Sequence, residues 1–342
     1  MISTSVVNSG NVKGSMVFVE ICVFGMLLMF AFTLRGTAQT CCSGGVPLGG
    51  SLGLGSAESQ SLQVLLTYDY NAINDLVSFS EKLDDETRSR TTQSSIVEIN
   101  YGLNDRVSFT GVVPFIRQTR KIQAFAGEDL TAIQGLGDMV FLVKYRLISN
   151  EKISEIDWLV GAGPKIPTAQ TNFTNNQGLT LPADMQPGSG SLDGLFWSYF
   201  LKSRLLNNPN LGLVAVSTFR LSGENKQYNE TQTYKFGNEF QFNVGLNYNF
   251  FAKWPVDVFT FFRYRFQAED IIDGGVFPSS GGQWIYAIPG VNILFSPLWS
   301  FRLSGDIPVY RKLEGTQLTT SYKITAAVLF NIPFNRNKLI IN

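Results

Sequence analysis

No histidine occurs among the 342 residues of this sequence. The imidazole is the usual general base of Ser-His-Asp and Cys-His pairs, and it is a frequent zinc ligand. Its absence excludes these routes to catalysis together with the histidine-containing zinc sites. We therefore expect no enzymatic activity, no metal site and no cofactor.

Charged residues are also scarce, at 16% of the chain compared with about 25% in an average soluble domain. The 27 basic and 27 acidic residues cancel, so the formal net charge is zero. Proteins that bind nucleic acid usually carry a basic excess. The charge balance therefore argues against a nucleic-acid partner.

Cysteine occurs three times, as Cys22, Cys41 and Cys42. Cys41 and Cys42 are neighbours in the chain, and neighbouring residues are badly placed to form a disulfide of normal geometry. Cys22 lies in an apolar leader that we expect to be removed. The sequence therefore predicts no disulfide framework.

Only one stretch approaches the roughly 20 apolar residues that a helical membrane span needs. It is Met16–Leu34, which is interrupted by Glu20 and followed closely by Gly36-Thr37-Ala38. These small residues suit a signal peptidase, so we expect cleavage after Ala38. A retained transmembrane helix and a lipoprotein that begins at Cys41 are the alternatives.

Aromatic residues and glycine are abundant, with 27 Phe, 12 Tyr, 5 Trp and 32 Gly. Several segments alternate between apolar and polar residues with the period of two that is typical of a β-strand. In 257–267, for example, one face carries Val258, Thr260, Phe262, Tyr264 and Phe266, and the other carries Asp257, Arg263, Arg265 and Gln267.

Twelve such segments follow one another, and the connections between them are sorted by length. Connections after even-numbered segments are short, whereas those after odd-numbered segments are long. Outer-membrane barrels place short turns in the periplasm and long loops outside the cell. The predicted strands are Leu62–Tyr70, Gln93–Tyr101, Arg106–Ile116, Gly137–Leu147, Asp157–Ile166, Ser191–Lys202, Leu211–Leu221, Lys235–Phe250, Val256–Gln267, Gln283–Phe295, Trp299–Val309 and Tyr322–Phe334.

The charged residues decide which face of each strand is outside. A Lys or Arg that faces lipid at mid-bilayer costs ~2–4 kcal/mol, so the charged face must line the interior. Closure of the sheet leaves no unpaired edge in the lipid. We therefore predict an all-β fold: a closed antiparallel transmembrane β-barrel of about 12 strands, with short periplasmic turns and long extracellular loops.

The predicted organisation has four parts. Residues 1–38 are a signal peptide, 39–61 a periplasmic N-terminal segment, 62–334 the barrel and 335–342 a C-terminal tail. Outer-membrane barrels usually finish with an aromatic residue that the assembly machinery reads. Phe334 fits this role, although the tail that follows it departs from the usual pattern.

Two predicted strands alternate poorly, because apolar residues occupy both faces of Leu192–Lys202 and Gln283–Phe295. Such strands either face a plug or contain a β-bulge. Other apolar residues are predicted to point inward, which favours a channel for partly apolar molecules; alternatively, they only fill a narrow barrel. They are Val140, Leu142, Leu159, Phe259, Phe261 and Leu329.

Charged residues of both signs are predicted to line the pore. They either orient a solute and set ion preference, or form a ladder of ion pairs that stiffens the barrel. Arg263 and Arg265 are two apart on one face, so they repel each other unless an acid or an anionic solute lies between them. The pore-lining candidates are Arg263, Arg265, Asp257, Glu239, Lys144, Arg146, Asp138, Arg220, Arg302 and Asp306.

Two further features leave alternatives open. The long connection Pro167–Gly190 is either an inward constriction or a solvated surface loop. An enzyme that uses carboxylates alone would need a close pair of inward acids. Asp138 and Asp157, on adjacent predicted strands, are the nearest candidates for such a pair.

Three stretches resemble one bacterial family. GLGDMVFLVKYRL, Gly135–Leu147, is similar to a strand opening of outer-membrane barrels labelled meta-pathway of phenol degradation, which are regarded as transporters. QPGSGSLDG, Gln186–Gly194, is similar to the family's glycine-serine-aspartate motif. CCSGGVPLGG, Cys41–Gly50, resembles the mature start of members from marine and gut-type Gram-negative bacteria. The resemblance covers residues 41–334 and implies a barrel that passes aromatic or other apolar small molecules, with no catalytic residue.

We therefore expect a protein of the outer membrane that acts as a channel for passive uptake of small, partly hydrophobic or aromatic molecules. Its expected partners are outer-membrane lipid, small-molecule solutes and the barrel-assembly machinery. The alternative is a structural or adhesive barrel with a plugged lumen and functional outer loops.

Overall fold

The computed structural model of the protein describes residues 55, 57–124, 127–149, 155–175, 177–250 and 255–334. The expected signal peptide with its cleavage site, most of the N-terminal segment and the C-terminal tail lie outside the described residues. Within the described part, no helix combines the length and apolar character needed to cross a membrane.

Twelve long strands dominate the described residues, and each is antiparallel to its neighbours in the sheet. They are β1 (Ser61–Ile73), β2 (Arg88–Gly102), β3 (Val107–Ala124), β4 (Met139–Ile148), β5 (Ile156–Ile166), β6 (Asp193–Lys202), β7 (Leu211–Leu221), β8 (Glu239–Phe250), β9 (Val256–Gln267), β10 (Gly282–Ser296), β11 (Trp299–Leu313) and β12 (Tyr322–Pro333).

The sheet closes on itself because β1 pairs with two strands. Leu66 of β1 lies opposite Val97 of β2 on one side and opposite Val328 of β12 on the other. The remaining strands pair in sequence order around the wall. The predicted closed antiparallel barrel is therefore confirmed.

Alternation along the strands separates an outer face from an inner face. In β9, Val258 and Phe262 are 41% and 52% exposed, whereas Phe261 and Arg263 are 4% and 6% exposed. Successive side chains of a strand point to opposite sides of the sheet, so the exposed set covers the outside of the barrel. The predicted assignment of faces in β9 is correct.

Short and long connections alternate as predicted, although 203–210 and 314–321 are equally long. The strand ends joined by the short connections all lie at one end of the barrel; these connections are 103–106, 149–155, 203–210, 251–255 and 297–298. The strand ends joined by the long connections lie at the other end; these connections are 74–87, 125–138, 167–192, 222–238, 268–281 and 314–321. We refer to these ends as the short-turn end and the long-loop end.

Several long connections contain strands in regions that were predicted to be loops. The prediction of a loop over 117–136 is wrong, because β3 continues to Ala124 and pairs with Gly127–Leu136 as a hairpin. Polar residues occupy both faces there, so no apolar stripe marked the strand. Two small sheets also form at this end, from Asp75–Ser78, Glu81–Leu83 and Thr316–Thr319, and from Asn225–Tyr228, Gln232–Lys235, Ile271–Ile272 and Gly275–Val276.

Exposed aromatic side chains mark both ends of the outer surface. Tyr101, Tyr145, Trp158 and Trp299 lie near the short-turn end, with exposed fractions between 36% and 41%. Near the long-loop end, the rings of Tyr70 and Tyr322 stack with their centroids 6.2 Å apart. Amphipathic rings favour the two interfaces of a bilayer, where membrane barrels carry aromatic girdles.

The two poorly alternating strands share one explanation. In β6 the inner face is itself apolar, since Leu195, Trp197 and Tyr199 are buried there. In β10 the inner face is apolar as well, since Trp284, Tyr286 and Ile288 are buried there. The register shift between Ile285 and Tyr286 places its extra residue on β11, so a β-bulge does not explain the pattern of β10. Apolar residues on both faces therefore reflect an apolar stretch of the lumen rather than a strand buried on both sides.

Candidate solute-binding lumen

An apolar and aromatic zone crosses the middle of the lumen, and we refer to it as the aromatic belt. Its side chains come from inward-facing positions, which are two residues apart along each strand, and neighbouring strands bring these positions together. The rings of Trp197 and Tyr199 are stacked, with centroids 6.0 Å apart and an interplanar angle of 11°. The belt consists of Leu159, Trp197, Tyr199, Val214, Val216, Phe259, Phe261, Trp284, Tyr286 and Ile288.

From the upper part of the belt towards the long-loop end, buried charges form two ionic clusters. In the first, Glu239 lies 2.8 Å from Arg265 and 3.2 Å from Arg220. The guanidinium of Arg265 also lies 4.7 Å from the centre of the Trp284 ring. Because Glu239 faces both cations, this cluster carries one more positive than negative charge.

The second ionic cluster alternates in sign around the wall. Asp306 lies 2.6 Å from Arg263 and 3.6 Å from Lys323, and Lys323 lies 3.5 Å from Asp69. Arg263 and Arg265 therefore have different acidic partners. The expected repulsion between these two arginines is offset by the protein's own carboxylates.

A smaller polar group lies below the belt, towards the short-turn end of the strands. Arg146 and Asp157 form an ion pair at 3.0 Å. Asp257 accepts hydrogen bonds from the side-chain amides of Asn249 and Asn292, at 2.6 and 3.3 Å. The aromatic belt is thus enclosed by polar side chains on both sides along the barrel axis.

Arg302 and Lys144 bring positive charge to the aromatic belt itself. The guanidinium of Arg302 lies 5.5 Å from the centre of the Phe259 ring. The ammonium of Lys144 lies 4.5 Å from the centre of the Trp197 ring. A cation over an aromatic face is attracted to the negative face of the ring, so both contacts join charge and apolar surface in one site.

Asp138 has a different position from the other candidates, at the long-loop end. Its carboxylate accepts hydrogen bonds from Lys165 Nζ at 2.7 Å and from the backbone N–H of Ser189 at 2.8 Å. Lys165 also lies 3.0 Å from Asp193. Asp138 therefore anchors the 167–192 connection to the wall instead of lining the bore.

The 167–192 connection folds inward, which supports the constriction interpretation over the surface loop. Leu181, Ala183–Met185 and Gln186–Ser189 are buried within the mouth of the barrel. Ala183–Met185 forms a short 3-10 helix. Its apolar side chains pack against Ile133 on one side and against Tyr234 and Phe236 on the other.

A buried arginine fixes this constriction to the wall. Arg90 of β2 forms an ion pair with Asp184 and donates hydrogen bonds to Gln118 of β3. Arg90, Asp184 and Gln118 were not among the predicted site residues. Arg90 continues the inner register of Ser94, which was the available signal, but the pairing to Asp184 spans 94 residues and has no local signature.

A second buried acid joins two long connections at the mouth. Asp270 accepts hydrogen bonds from the hydroxyl of Tyr234 at 2.6 Å and from the backbone N–H of Gly237 at 2.7 Å. Burial raises the pKa of Asp270 to about 6. Burial likewise raises the pKa of Tyr234 above its ordinary value, so the phenol remains protonated and keeps donating.

The candidate carboxylate pair is not formed. Asp138 contacts Lys165 at one end of β5, whereas Asp157 pairs with Arg146 at the other end. Eight residues of strand separate the two levels, or about 26 Å at a rise of ~3.3 Å per residue. Both acids lie at the start of a strand, and the antiparallel strands β4 and β5 begin at opposite ends of the barrel. Among the described residues, no group of three or more Cys, Asp or Glu side chains is arranged to hold a metal ion.

A closed antiparallel barrel with an apolar exterior, a polar and aromatic interior and length-sorted connections is a bacterial outer-membrane β-barrel, which places the protein in the outer membrane. A family profile described as "Putative MetA-pathway of phenol degradation" matches residues 85–324. The chain belongs to this family, and the resemblance inferred from the sequence is confirmed. No curated protein matches the chain.

Solved structures share the fold at low sequence identity. The COG4313 outer membrane channel from Pseudomonas putida F1 gives a TM-score of 0.66 at 12% identity, covering 84% of this chain and 100% of that chain. A Pseudomonas aeruginosa FadL homologue gives 0.43 at 10% identity, covering 89% and 100%. The transport unit of the autotransporter AIDA-I from Escherichia coli gives 0.43 at 11% identity, covering 84% and 95%. Only the first score supports a shared barrel architecture.

Proposed function

We propose that the protein is an outer-membrane channel for passive uptake of small, partly hydrophobic or aromatic molecules. The observation that carries this proposal is the aromatic belt, which lies inside the barrel between two polar zones. A lumen that served only hydrated ions would be polar along its whole length. Ring stacking and apolar contact inside the belt would favour solutes that carry an apolar part.

The family supports a channel for such solutes. Its description refers to phenol degradation, a process that acts on aromatic compounds. The structurally similar protein from Pseudomonas putida F1 is called an outer membrane channel. Selectivity would come from the constriction, the paired lumen charges and the belt acting in series.

Liposome swelling tests this function with a pair of neutral, lipid-impermeant sugars. Phenyl glucoside and methyl glucoside differ in an aromatic ring, and the phenyl compound is the larger. We expect proteoliposomes to admit phenyl glucoside faster than methyl glucoside. Entry rates that simply follow solute size would contradict the proposal, because a general porin sorts solutes in that way.

The second candidate is a structural or adhesive barrel whose lumen stays closed. The buried constriction favours this candidate. The position of Gly55 favours it as well, because this N-terminal residue lies inside the lumen against the ring of Tyr199, where an added Cβ would be 3.4 Å from the ring. A closed barrel predicts no swelling with either sugar and no conductance in a planar bilayer. Release of the constriction would then be needed before any solute passed.

A further inference from the structure

A glycine on the neighbouring strand leaves room for Lys144 in the middle of the lumen. It points inward from β4, where it lies opposite Gly161 of β5, and its exposed fraction is 3%. A Cβ added to Gly161 would lie 3.2 Å from Lys144 Cγ and 3.3 Å from Trp197 Cε3. The absence of a side chain at Gly161 thus lets the lysine stem and the indole meet.

Within the part of the chain that the structure describes, only one hydrogen bond satisfies this ammonium. It has three N–H donors, and one of them reaches the Asn100 side-chain oxygen at 3.3 Å. The amide of Asn100 in turn donates to Glu98 at 3.0 Å, so Asn100 stands between the lysine and this acid. Among the described residues, no carboxylate lies within ion-pairing distance of Lys144.

Four of the arginine candidates each have a close acidic partner. Arg146, Arg220, Arg263 and Arg265 each have a carboxylate at 2.6 to 3.2 Å. A buried cation that lacks such a partner is costly unless another anion satisfies it. The open donors of Lys144 therefore fit an anionic group supplied from outside the protein.

The surface beside Lys144 is aromatic. Trp197 contacts the ammonium through its ring face, and Tyr199 extends the same stack. We propose that Lys144 and the Trp197–Tyr199 stack form a binding site for small aromatic carboxylates, with the carboxylate on the ammonium and the ring on the stack. This inference rests on the proposed channel function and defines the class of solute that the belt selects.

Binding measurements test the site separately from transport. Benzoate, benzamide and benzamidine have nearly the same shape but are negative, neutral and positive, and each can be titrated calorimetrically into the protein in detergent. A charge-assisted hydrogen bond is stronger than a neutral one, so we expect benzoate to bind at least about tenfold more tightly than benzamide. Benzamidine should bind most weakly. Equal affinities, or tighter binding of benzamidine, would overturn the proposal.

Variants then assign the effect to the named residues. Lys144→Met should bring the affinity for benzoate to that for benzamide and leave benzamide unchanged, whereas Trp197→Leu should weaken both. Lys121→Met, at an exposed position on the hairpin, removes the same charge and should change neither. If Lys144→Met does not fold, Lys144→Arg should retain the benzoate preference, and its loss there would contradict the proposal.

The outcomes separate this inference from the channel function. Benzoate-selective binding without solute entry in the swelling assay would support the site and reject the channel. Faster entry of phenyl glucoside together with equal binding of benzoate and benzamide would support the channel and reject the site.

Discussion

Arg90 and Asp184 form a buried ion pair that joins the barrel wall to the constriction, and Gln118 holds the same guanidinium. This contact fixes the 3-10 helix Ala183–Met185 inside the mouth. The constriction is thus held by a specific charge pair in addition to its apolar packing. Its removal should open the channel while the wall stays closed.

Arg90→Met should release the constriction, because Asp184 would remain buried without its cation. Loss of one partner of a buried pair costs ~3–5 kcal/mol. We expect a higher single-channel conductance in planar bilayers. The matched variant Arg88→Met removes an exposed arginine two residues away and should leave conductance unchanged; an equal effect of both substitutions would contradict this role of Arg90.

Asp270 should make the mouth sensitive to pH. Its pKa of about 6 lies above the ordinary value of about 3.9 for an unfolded chain. Protonation of Asp270 therefore favours the state in which the 268–281 connection is packed against Tyr234 and Gly237. This stabilisation is complete below about pH 4 and is lost as the pH rises through about 6. The change amounts to about 3 kcal/mol. Hydrogen exchange in 268–281, corrected for intrinsic rates, should be slower at low pH.

Asp270→Asn provides the control for this pH effect. An amide does not titrate in this range, so the protection of 268–281 should no longer depend on pH. A pH dependence that persists in this variant would show that another group is responsible.

Glu239→Gln should destabilise the barrel, because Arg220 and Arg265 would then face each other without a shared acid. We expect a loss of ~3–5 kcal/mol, as is usual when one partner of a buried pair is removed. Urea unfolding, followed by the heat-modifiable shift on a gel, measures this loss. Glu128→Gln breaks only the exposed pair with Lys121, for which ~0–1 kcal/mol is expected.

Replacement of both Arg263 and Arg265 by alanine should alter ion preference. Asp306 and Glu239 would lose cationic partners at 2.6 and 2.8 Å, so the lumen would become more negative. The reversal potential across a salt gradient should shift towards cation preference. An unchanged reversal potential would remove these arginines from the pore-lining set.

The periodic parts of the barrel could be predicted from the sequence, whereas the contacts between distant elements could not. The limits of β9, Val256–Gln267, and its two faces match the structure because one face meets lipid along its whole length. Strand ends in polar surroundings, such as Arg88–Thr92 and Arg117–Ala124, were missed for the opposite reason.

The contacts between side chains in the lumen depend on the register between neighbouring strands, and no local sequence pattern encodes that register. Inner residues such as Lys144 and Arg263 were identified by alternation, but their partners lie on neighbouring strands. Asp306, for example, pairs with Arg263 from 43 residues away. The apolar inner faces of β6 and β10 gave an ambiguous pattern because the belt makes part of the lumen apolar.

The central claim is that one face of each wall strand meets lipid while the other face lines the lumen. Cysteine scanning along Val258–Arg265, with Cys22, Cys41 and Cys42 replaced by serine, allows a nitroxide label at each position. We expect labels at 258, 260, 262 and 264 to be accessible to membrane-dissolved oxygen, and labels at 259, 261, 263 and 265 to be shielded from it. The reverse pattern, or accessibility without a period of two, would contradict a barrel that keeps its arginines and its aromatic belt inside.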